Sequence, residues 1–494
     1  MNDSPSELIN LLPYDYVKIN RVIAFTNNDA NRVISEKKIS GLLSRELWRH
    51  FNGKFQSEIY GQEAFNKALT EIYSLSKNSS ELEETSIEEY DLKSALNSIA
   101  PTEDLLSGAN DAPITRLINA IISEAIAKRA SDIHFEPYED IFIVRFRIDG
   151  QLLEVFSQDI RLAQPITSRI KIISRLDIAE RRKPQDGRIS LSLGTKKIDV
   201  RVSTLPSSYG ERLVLRILDK DGARVNLDQL GFNKDVLISY QNLLQLNEGI
   251  ILVTGPTGSG KTTTLYAGLE YLNSKESNIL TVEDPIEYTL SGIGQTQVNA
   301  KTGYTFASGL RSILRQDPDI VMVGEIRDKE TAVIATQASL TGHLVLSTVH
   351  TNSAIGAITR LRDIGIESYL LASSIRGILS QRLIRKLCSQ CKIERLSNAI
   401  EQEKLKLHKE DKVYDAQGCD ACNGTGYHGR IPIVEMILID EHLKALIHAE
   451  SAEQEFVKYL QGTTYSMSNS SVQLLVEGQT SSQEVFGLLS NLYA

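Results

Sequence analysis

Residues 255–262 carry the clearest chemistry in the sequence: Gly255-Pro256-Thr257-Gly258-Ser259-Gly260-Lys261-Thr262 keeps the spacing G-x-x-x-x-G-K-[ST]. Glycines let backbone N–H groups wrap phosphates closely, and the helix that follows adds partial positive charge at its N-terminus. Lys261 is suited to the β- and γ-phosphates, and the Thr262 hydroxyl to Mg²⁺. The candidate nucleotide-binding residues are therefore Gly255, Pro256, Thr257, Gly258, Ser259, Gly260, Lys261, Thr262 and Thr263. An incidental glycine-rich turn would need neither flank, yet both are present: an apolar run over Gly249–Thr254 predicts a strand, and Thr262–Leu272 predicts a helix.

Two further apolar runs end in carboxylates. Ile279–Val282 leads into Glu283-Asp284-Pro285-Ile286-Glu287, and Asp319–Gly324 leads into Glu325. In an open α/β sheet, ligands bind at the carboxyl ends of the strands. Carboxylates there can order Mg²⁺-bound water or activate the attacking water. Glu283 and Glu325 are the candidate catalytic carboxylates, while Asp284 and Glu287 suit a surface or capping role equally well. His343 and His350 bracket a third run. His350, at its carboxyl end, could sense a γ-phosphate or orient the nucleophile; His343 stays open between function and structure. Phosphoryl transfer also needs positive charge on the γ-phosphate, often supplied across a subunit boundary. Arg201, Arg216, Arg311, Arg315 and Arg327 are candidates, and composition does not separate them from surface ion pairs.

The sequence has four cysteines, Cys388, Cys391, Cys419 and Cys422, arranged as two C-x-x-C pairs. Four thiolates suit a closed tetrahedral Zn²⁺, hence a structural site. A helix predicted over Ala399–Lys409 would accommodate the long spacer between the pairs.

These residues need elements to hold them. At 494 residues the chain has room for roughly three domains. Hydrophobic residues make up 41% and charged residues 24%, a globular balance. The net charge of −9 and pI of about 5.6 argue against a nucleic-acid coat. That mean conceals a contrast. Residues 161–220 hold fourteen Lys/Arg against six Asp/Glu, while 77–104 hold eight acids against Lys77 and Lys93. The basic stretch has one aromatic, Tyr209, so it offers no base-stacking platform, and no nucleic acid is expected as a partner. No apolar run approaches the roughly 18 residues of a membrane span. Met1-Asn2-Asp3-Ser4 does not open a secretory signal, so a cytoplasmic location is expected.

Periodicity divides the rest. Ile114, Leu117, Ile118, Ile121, Ile122, Ala125 and Ile126 mark an amphipathic helix, and Phe142, Val144, Phe146 and Ile148 alternate with Ile143, Arg145 and Arg147 as a strand. Further strands are predicted at Ile198–Ser203 and Arg212–Leu218. From about residue 225, strand-length apolar runs alternate with helical segments, the pattern of an α/β domain with a parallel sheet. The expected organisation is an N-terminal domain over 1–80, an acidic linker over 81–108, a basic α+β domain over 109–220, a P-loop core over 225–385, a tetracysteine segment over 386–432 and a helical part over 433–494.

Together these motifs resemble the type II/type IV secretion ATPase superfamily. The resemblance rests on GPTGSGKTTT (255–264), TVEDPIEY (281–288), DIVMVGEIRD (319–328), TGHLVLSTVHTN (341–352), AERRKPQDGRIS (179–190) and the double C-x-x-C. Leu11-Leu12-Pro13-Tyr14-Asp15-Tyr16-Val17-Lys18 is similar to the opening of its type II secretion group; pilus assembly ATPases share most of the other features. The resemblance implies a RecA-like P-loop ATPase domain, preceded by a small PAS-like α+β domain and an N-terminal α/β partner-binding domain, with a zinc knuckle inserted. It implies ATP, Mg²⁺ and Zn²⁺ as cofactors. It also implies a homo-hexamer that drives pseudopilus assembly and export across the outer membrane. The implied partners are the cytosolic domain of a bitopic inner-membrane secretion protein and a polytopic inner-membrane platform protein, which provide peripheral attachment to the inner membrane.

Carried over residue by residue, Lys261 and Thr262 hold phosphates and Mg²⁺, Glu283 polarises the attacking water, Glu325 lies near the metal and His350 near the γ-phosphate. Arg201 and Arg216 engage nucleotide from the smaller domain; Arg311, Arg315 and Arg327 line the site or a subunit boundary. Gly324 departs from the usual P-loop ATPase pattern, standing where others carry an aspartate.

Overall fold

A computed structural model describes residues 12, 20–27, 30–51, 53–61, 65, 85–86 and 111–493, apart from 194–195, 220–223 and 462–465. Except for 85–86, the expected acidic linker lies outside the described residues, as do 11 and 13–18 of the opening stretch. The chain divides into two compact units, residues 1–86 and 87–494.

In the first unit, strands β1 (Val22–Asn27) and β2 (Ala30–Ser35) pair antiparallel, and β2 pairs parallel with β3 (Gln56–Ile59). The β2–β3 crossover holds helix α1 (Gly41–His50), which begins where the Ser40 hydroxyl accepts from the Leu43 N–H. Ile23, Ala24, Val33, Leu47, Phe51 and Phe65 form its core.

Among its described residues, the second unit opens with helix α2 (Asp111–Ala127). Strands β4 (Asp132–Pro137), β5 (Ile141–Ile148), β6 (Gln151–Asp159), β7 (Gln185–Leu193), β8 (Lys196–Ser207) and β9 (Gly210–Asp219) pair antiparallel in the order β7-β8-β9-β4-β5-β6. Helix α3 (Ala163–Ile173) joins α2 on the apolar face. Alternation explains the layering. Phe142, Val144 and Phe146 enter the core with Leu117, Ile118 and Ile121 of α2, while Arg145 and Arg147 turn outward onto Glu136 and Asp132.

The phosphate-loop domain follows. Its strands are β10 (Gly249–Thr254), β11 (Ile279–Glu283), β12 (Gly294–Gln297), β13 (Ile320–Val323), β14 (Leu344–Val349), β15 (Ile375–Leu387) and β18 (Tyr427–Leu438). Between the last two lies the small hairpin of β16 (Ile393–Leu396) and β17 (Lys412–Asp415). The main sheet runs β12-β11-β13-β14-β10-β15-β18, parallel except for the antiparallel β15/β18 pair. Ile250 and Leu252 face a core with helices α6 (Phe306–Ile313), α7 (Lys329–Leu340), α8 (Ala354–Ile364) and α9 (Ser368–Ser374). Ile251 and Val253 face α4 (Lys234–Leu244) and α5 (Lys261–Leu272) on the other side. Burial of both faces is why these strands read as unbroken apolar runs.

The expected borders at 385/386 and 432/433 fall inside β15 and β18. The cysteine segment is therefore an excursion from the sheet's edge hairpin. Its helix, α10 (Ala399–Leu405), ends earlier than the predicted Lys409, because Lys406 takes a left-handed conformation with φ of 56°. Among the described residues four helices follow β18: α11 (Glu441–His448), α12 (Glu453–Leu460), α13 (Met467–Val476) and α14 (Ser482–Tyr493).

Candidate nucleotide site and cysteine cluster

The phosphate loop links the buried strand β10 to α5. Gly255 (φ 142°) and Gly260 (φ 88°) hold backbone conformations that L side chains rarely adopt. A Cβ on Gly255 would also stand 2.2 Å from the Gln381 carbonyl oxygen. Lys261 Nζ folds back to donate to the carbonyls of Gly255 (2.9 Å) and Pro256 (3.1 Å). Burial pulls its pKa below the ordinary lysine value, and the charge of Glu325 opposes that pull. Thr262 is exposed at the start of the helix and Thr263 is half-buried.

Two neighbouring strands, β13 and β14, bring their carboxyl ends beside this loop, and β11 lies beyond β13. Glu325, just past β13, is buried. Its Oε2 lies 2.5 Å from Arg327 Nε and 3.3 Å from His350 Nε2, yet among the described residues no donor meets it in hydrogen-bonding geometry. A buried carboxylate at one strand end, with the Thr262 hydroxyl exposed at the helix start, is a donor set that suits a hydrated Mg²⁺. His350 follows β14, and its pKa is lowered: burial is the main cause, the charges of Lys261 and Arg327 add to it, and Glu325 opposes it. Because the folded value lies below the unfolded one, protonating His350 costs the native state stability. That loss sets in as pH falls below the unfolded histidine value, about 6.5. The imidazole C–H resonance is expected to titrate with a midpoint below about 6.5, and His350→Gln should remove that resonance.

Glu283 closes β11 in a cage. Its Oε2 accepts from the Tyr266 hydroxyl, and its Oε1 accepts from Thr281 Oγ1 (2.6 Å) and Gln295 Nε2 (3.0 Å). Burial, reinforced by Glu283, pushes the Tyr266 pKa far up, so Tyr266 remains the donor. Asp284 is exposed. Glu287 lies 3.5 Å from Arg201 Nη2, which also donates to the Ile286 carbonyl at 3.5 Å. Arg201 thus ties the basic sheet to the loop after Glu283. Three other arginines have partners outside residues 255–263. Arg216 pairs with Asp132 (2.9 Å), Arg311 pairs with Glu330 (2.6 Å), and Arg315 Nη1 donates to the Arg311 carbonyl (2.8 Å). His343 sits at the opposite, amino end of β14, its Nδ1 3.0 Å from the Ala338 carbonyl.

The four cysteines converge, with ligand atoms all within 4.8 Å of one another. Sγ–Sγ distances are 3.8 Å for Cys388–Cys419, 3.8 Å for Cys391–Cys422 and 3.7 Å for Cys419–Cys422. Tetrahedral Zn²⁺ with Zn–S near 2.3 Å requires about 3.8 Å between sulfurs. Cys422 Sγ accepts from the N–H groups of Cys419 and Gly426, both at 3.1 Å. Burial works against the thiolate, but these donors bring the Cys422 pKa down to about 6. The cluster is chemically fit for zinc.

The family model described as "Type II/IV secretion system protein" matches residues 107–487. The chain belongs to that family. The type II secretion system protein E of Aeromonas hydrophila is 52% identical over 439 residues, covering 87% of each chain. The type II secretion system ATPase E of Vibrio cholerae is 48% identical, covering 98% of this chain and 97% of the relative. Among solved structures, the pilus retraction motor PilT with bound ADP is similar at a TM-score of 0.51 and 27% identity, covering 74% of this chain and 95% of that one. The ATPase DotB of Legionella pneumophila shares the fold at a TM-score of 0.56 and 18% identity, with 76% and 95% covered. This type II/IV secretion family member is an α/β protein with a parallel-sheet ATPase domain. Its site also includes residues that lie outside the quoted motifs: Tyr266 and Gln295, which join Thr281 around Glu283, and Gln381 behind the loop. Gln381 carries no sequence signal, because Arg376, Ser380, Arg382, Arg385 and Lys386 interrupt the same strand.

Proposed function

We propose that the chain is the ATP-hydrolysing motor of a type II secretion system. The observation that carries this reading is the convergence of Lys261, Glu325, Arg327 and His350 beside the phosphate loop. Relatives named for type II secretion, 52% and 48% identical over most of the chain, favour secretion over pilus assembly.

In this reading ATP binds over residues 255–263, and Lys261 turns its ammonium from the Gly255 and Pro256 carbonyls to the phosphates. Mg²⁺, when bound, neutralises phosphate charge; Thr262 and water ordered by Glu325 would hold it. Glu283 polarises the attacking water, and neutral His350 reads the γ-phosphate. Arg201 connects the basic PAS-like module to the loop after Glu283, so nucleotide turnover can open and close the two by differential affinity. Arg216, Arg311, Arg315 and Arg327 would serve this or a neighbouring subunit's site in a hexameric ring with a RecA-like core. Cys388, Cys391, Cys419 and Cys422 hold a structural zinc. The N-terminal unit recruits a bitopic inner-membrane protein, and a polytopic platform protein receives the motion. Among the described residues no helix is long and apolar enough to cross a membrane, which suits attachment through such partners.

The test compares the full chain with one lacking residues 1–80. Both should release phosphate from ATP, and the full chain alone should retain the bitopic protein's cytosolic domain. Equal retention by the truncated chain would overturn the recruitment assignment.

A further inference from the structure

Gln381 lies midway along β15 and is 3% exposed, yet it belongs to none of the motifs above. The β10/β15 pairing ends at Thr254 opposite Ser380, which puts Gln381 level with the first residue of the phosphate loop. Its carbonyl oxygen fills the space where a Gly255 side chain would begin. Its side chain runs to the loop's other end. There Oε1 accepts from Thr264 Oγ1 at 2.7 Å, and Nε2 stands 2.8 Å from where a Gly260 Cβ would be. One residue therefore spans the loop, with its main chain at the entry and its amide at the exit.

The chemistry suits that place. A threonine hydroxyl in a first helical turn otherwise tends to bond back to the carbonyl four residues earlier, here Gly260, and this bends the helix. The amide oxygen takes that hydroxyl instead. Thr264 N–H bonds the Gly260 carbonyl at 3.0 Å, the ordinary helical bond, where α5 leaves the loop. A carboxylate would also accept from Thr264, but it would add negative charge behind a phosphate cradle and remove the N–H groups facing Gly260. An amide orients the loop without repelling an anion.

We propose that Gln381 is a positioning residue of the phosphate loop, fixing the separation and tilt of its two ends for a nucleoside triphosphate through Gly255 on one side and Thr264 on the other. This rests on the nucleotide reading of the loop. The role is indirect: the side chain reaches the nucleotide through the loop backbone.

The test uses the full chain and a fluorescent ATP analogue, with Kd, kcat, KM and Tm measured for Gln381→Ala, Gln381→Glu, Thr264→Val and the Gln381→Ala/Thr264→Val pair. A buried hydrogen bond of this kind should make Gln381→Ala and Thr264→Val weaken nucleotide binding by about tenfold. The double variant should be little worse than either single one, since both remove the same link. Gln381→Glu should keep the wild-type Tm more closely than Gln381→Ala while raising KM at least as much. If the variants lower Tm but bind the analogue as the unaltered chain does, Gln381 is merely a packing residue and the proposal falls. If the unaltered chain itself fails to bind the analogue, the nucleotide reading is what fails.

Discussion

Replacing Lys261 with alanine is expected to lower steady-state phosphate release by at least about 10²-fold, the scale set by removing one preorganised charge from a transition state. The fold should survive. Lys261 Nζ donates to the carbonyls of Gly255 and Pro256, so its loss strands no buried carboxylate at bonding distance. Burial already holds its pKa below the ordinary value, so the native chain carries a penalty for that charge, and alanine removes it. Tm should therefore stay near that of the unaltered chain. A Lys261→Ala chain that hydrolyses ATP normally would sink the motor assignment. A collapse of Tm would show that the lysine is structural.

The second large effect is expected at the cysteines. Cys422→Ser should remove zinc, measured as metal per chain in protein purified under reducing conditions. It should also open residues 388–426 to limited proteolysis. Structural zinc contributes on the order of 10 kcal/mol in isolated zinc-finger peptides, far more than the small apolar contacts of this excursion supply. Those contacts are Leu405, Leu407 and Val413 against Leu475 and Val485. Serine would keep the shape of the knuckle but supply no soft thiolate, and it would lose the charge that the Cys419 and Gly426 N–H groups now stabilise. The phosphate loop is braced by β15 and α5 rather than by the cysteine knuckles, so ATP binding should persist. If the unaltered chain carries no zinc, the structural-site assignment fails.

The site is readable in the sequence wherever its chemistry is contiguous. Residues 255–263 declare themselves because one loop and one helix start supply the whole phosphate cradle. The C-x-x-C pairs do so because each knuckle is local. Strands β10, β11, β13 and β14 are visible because both faces are buried, which leaves unbroken apolar runs. Strand β15 is not, since Gln381, Arg382, Arg385 and Lys386 interrupt its run. Arg385 has a use for its charge there: it pairs with Glu484 at 2.7 Å and donates to Gln151 at 2.8 Å, linking the sheet to α14 and to the basic module.

Spacing along the chain could assign residues to a helix or a strand and could put Glu283, Glu325 and His350 at strand ends, because side-chain periodicity is a local property. Pairing is not local. That β10 lies between β14 and β15, and that β11 lies outside β13, follows from how nonadjacent strands bury their faces against two layers of helices. The same long-range packing brings Tyr266 and Gln295 onto Glu283, Arg201 onto the loop after it and Gln381 under the phosphate loop. Each of these contacts joins residues whose sequence separation carries no periodic signal, so they exist only once the sheet has assembled.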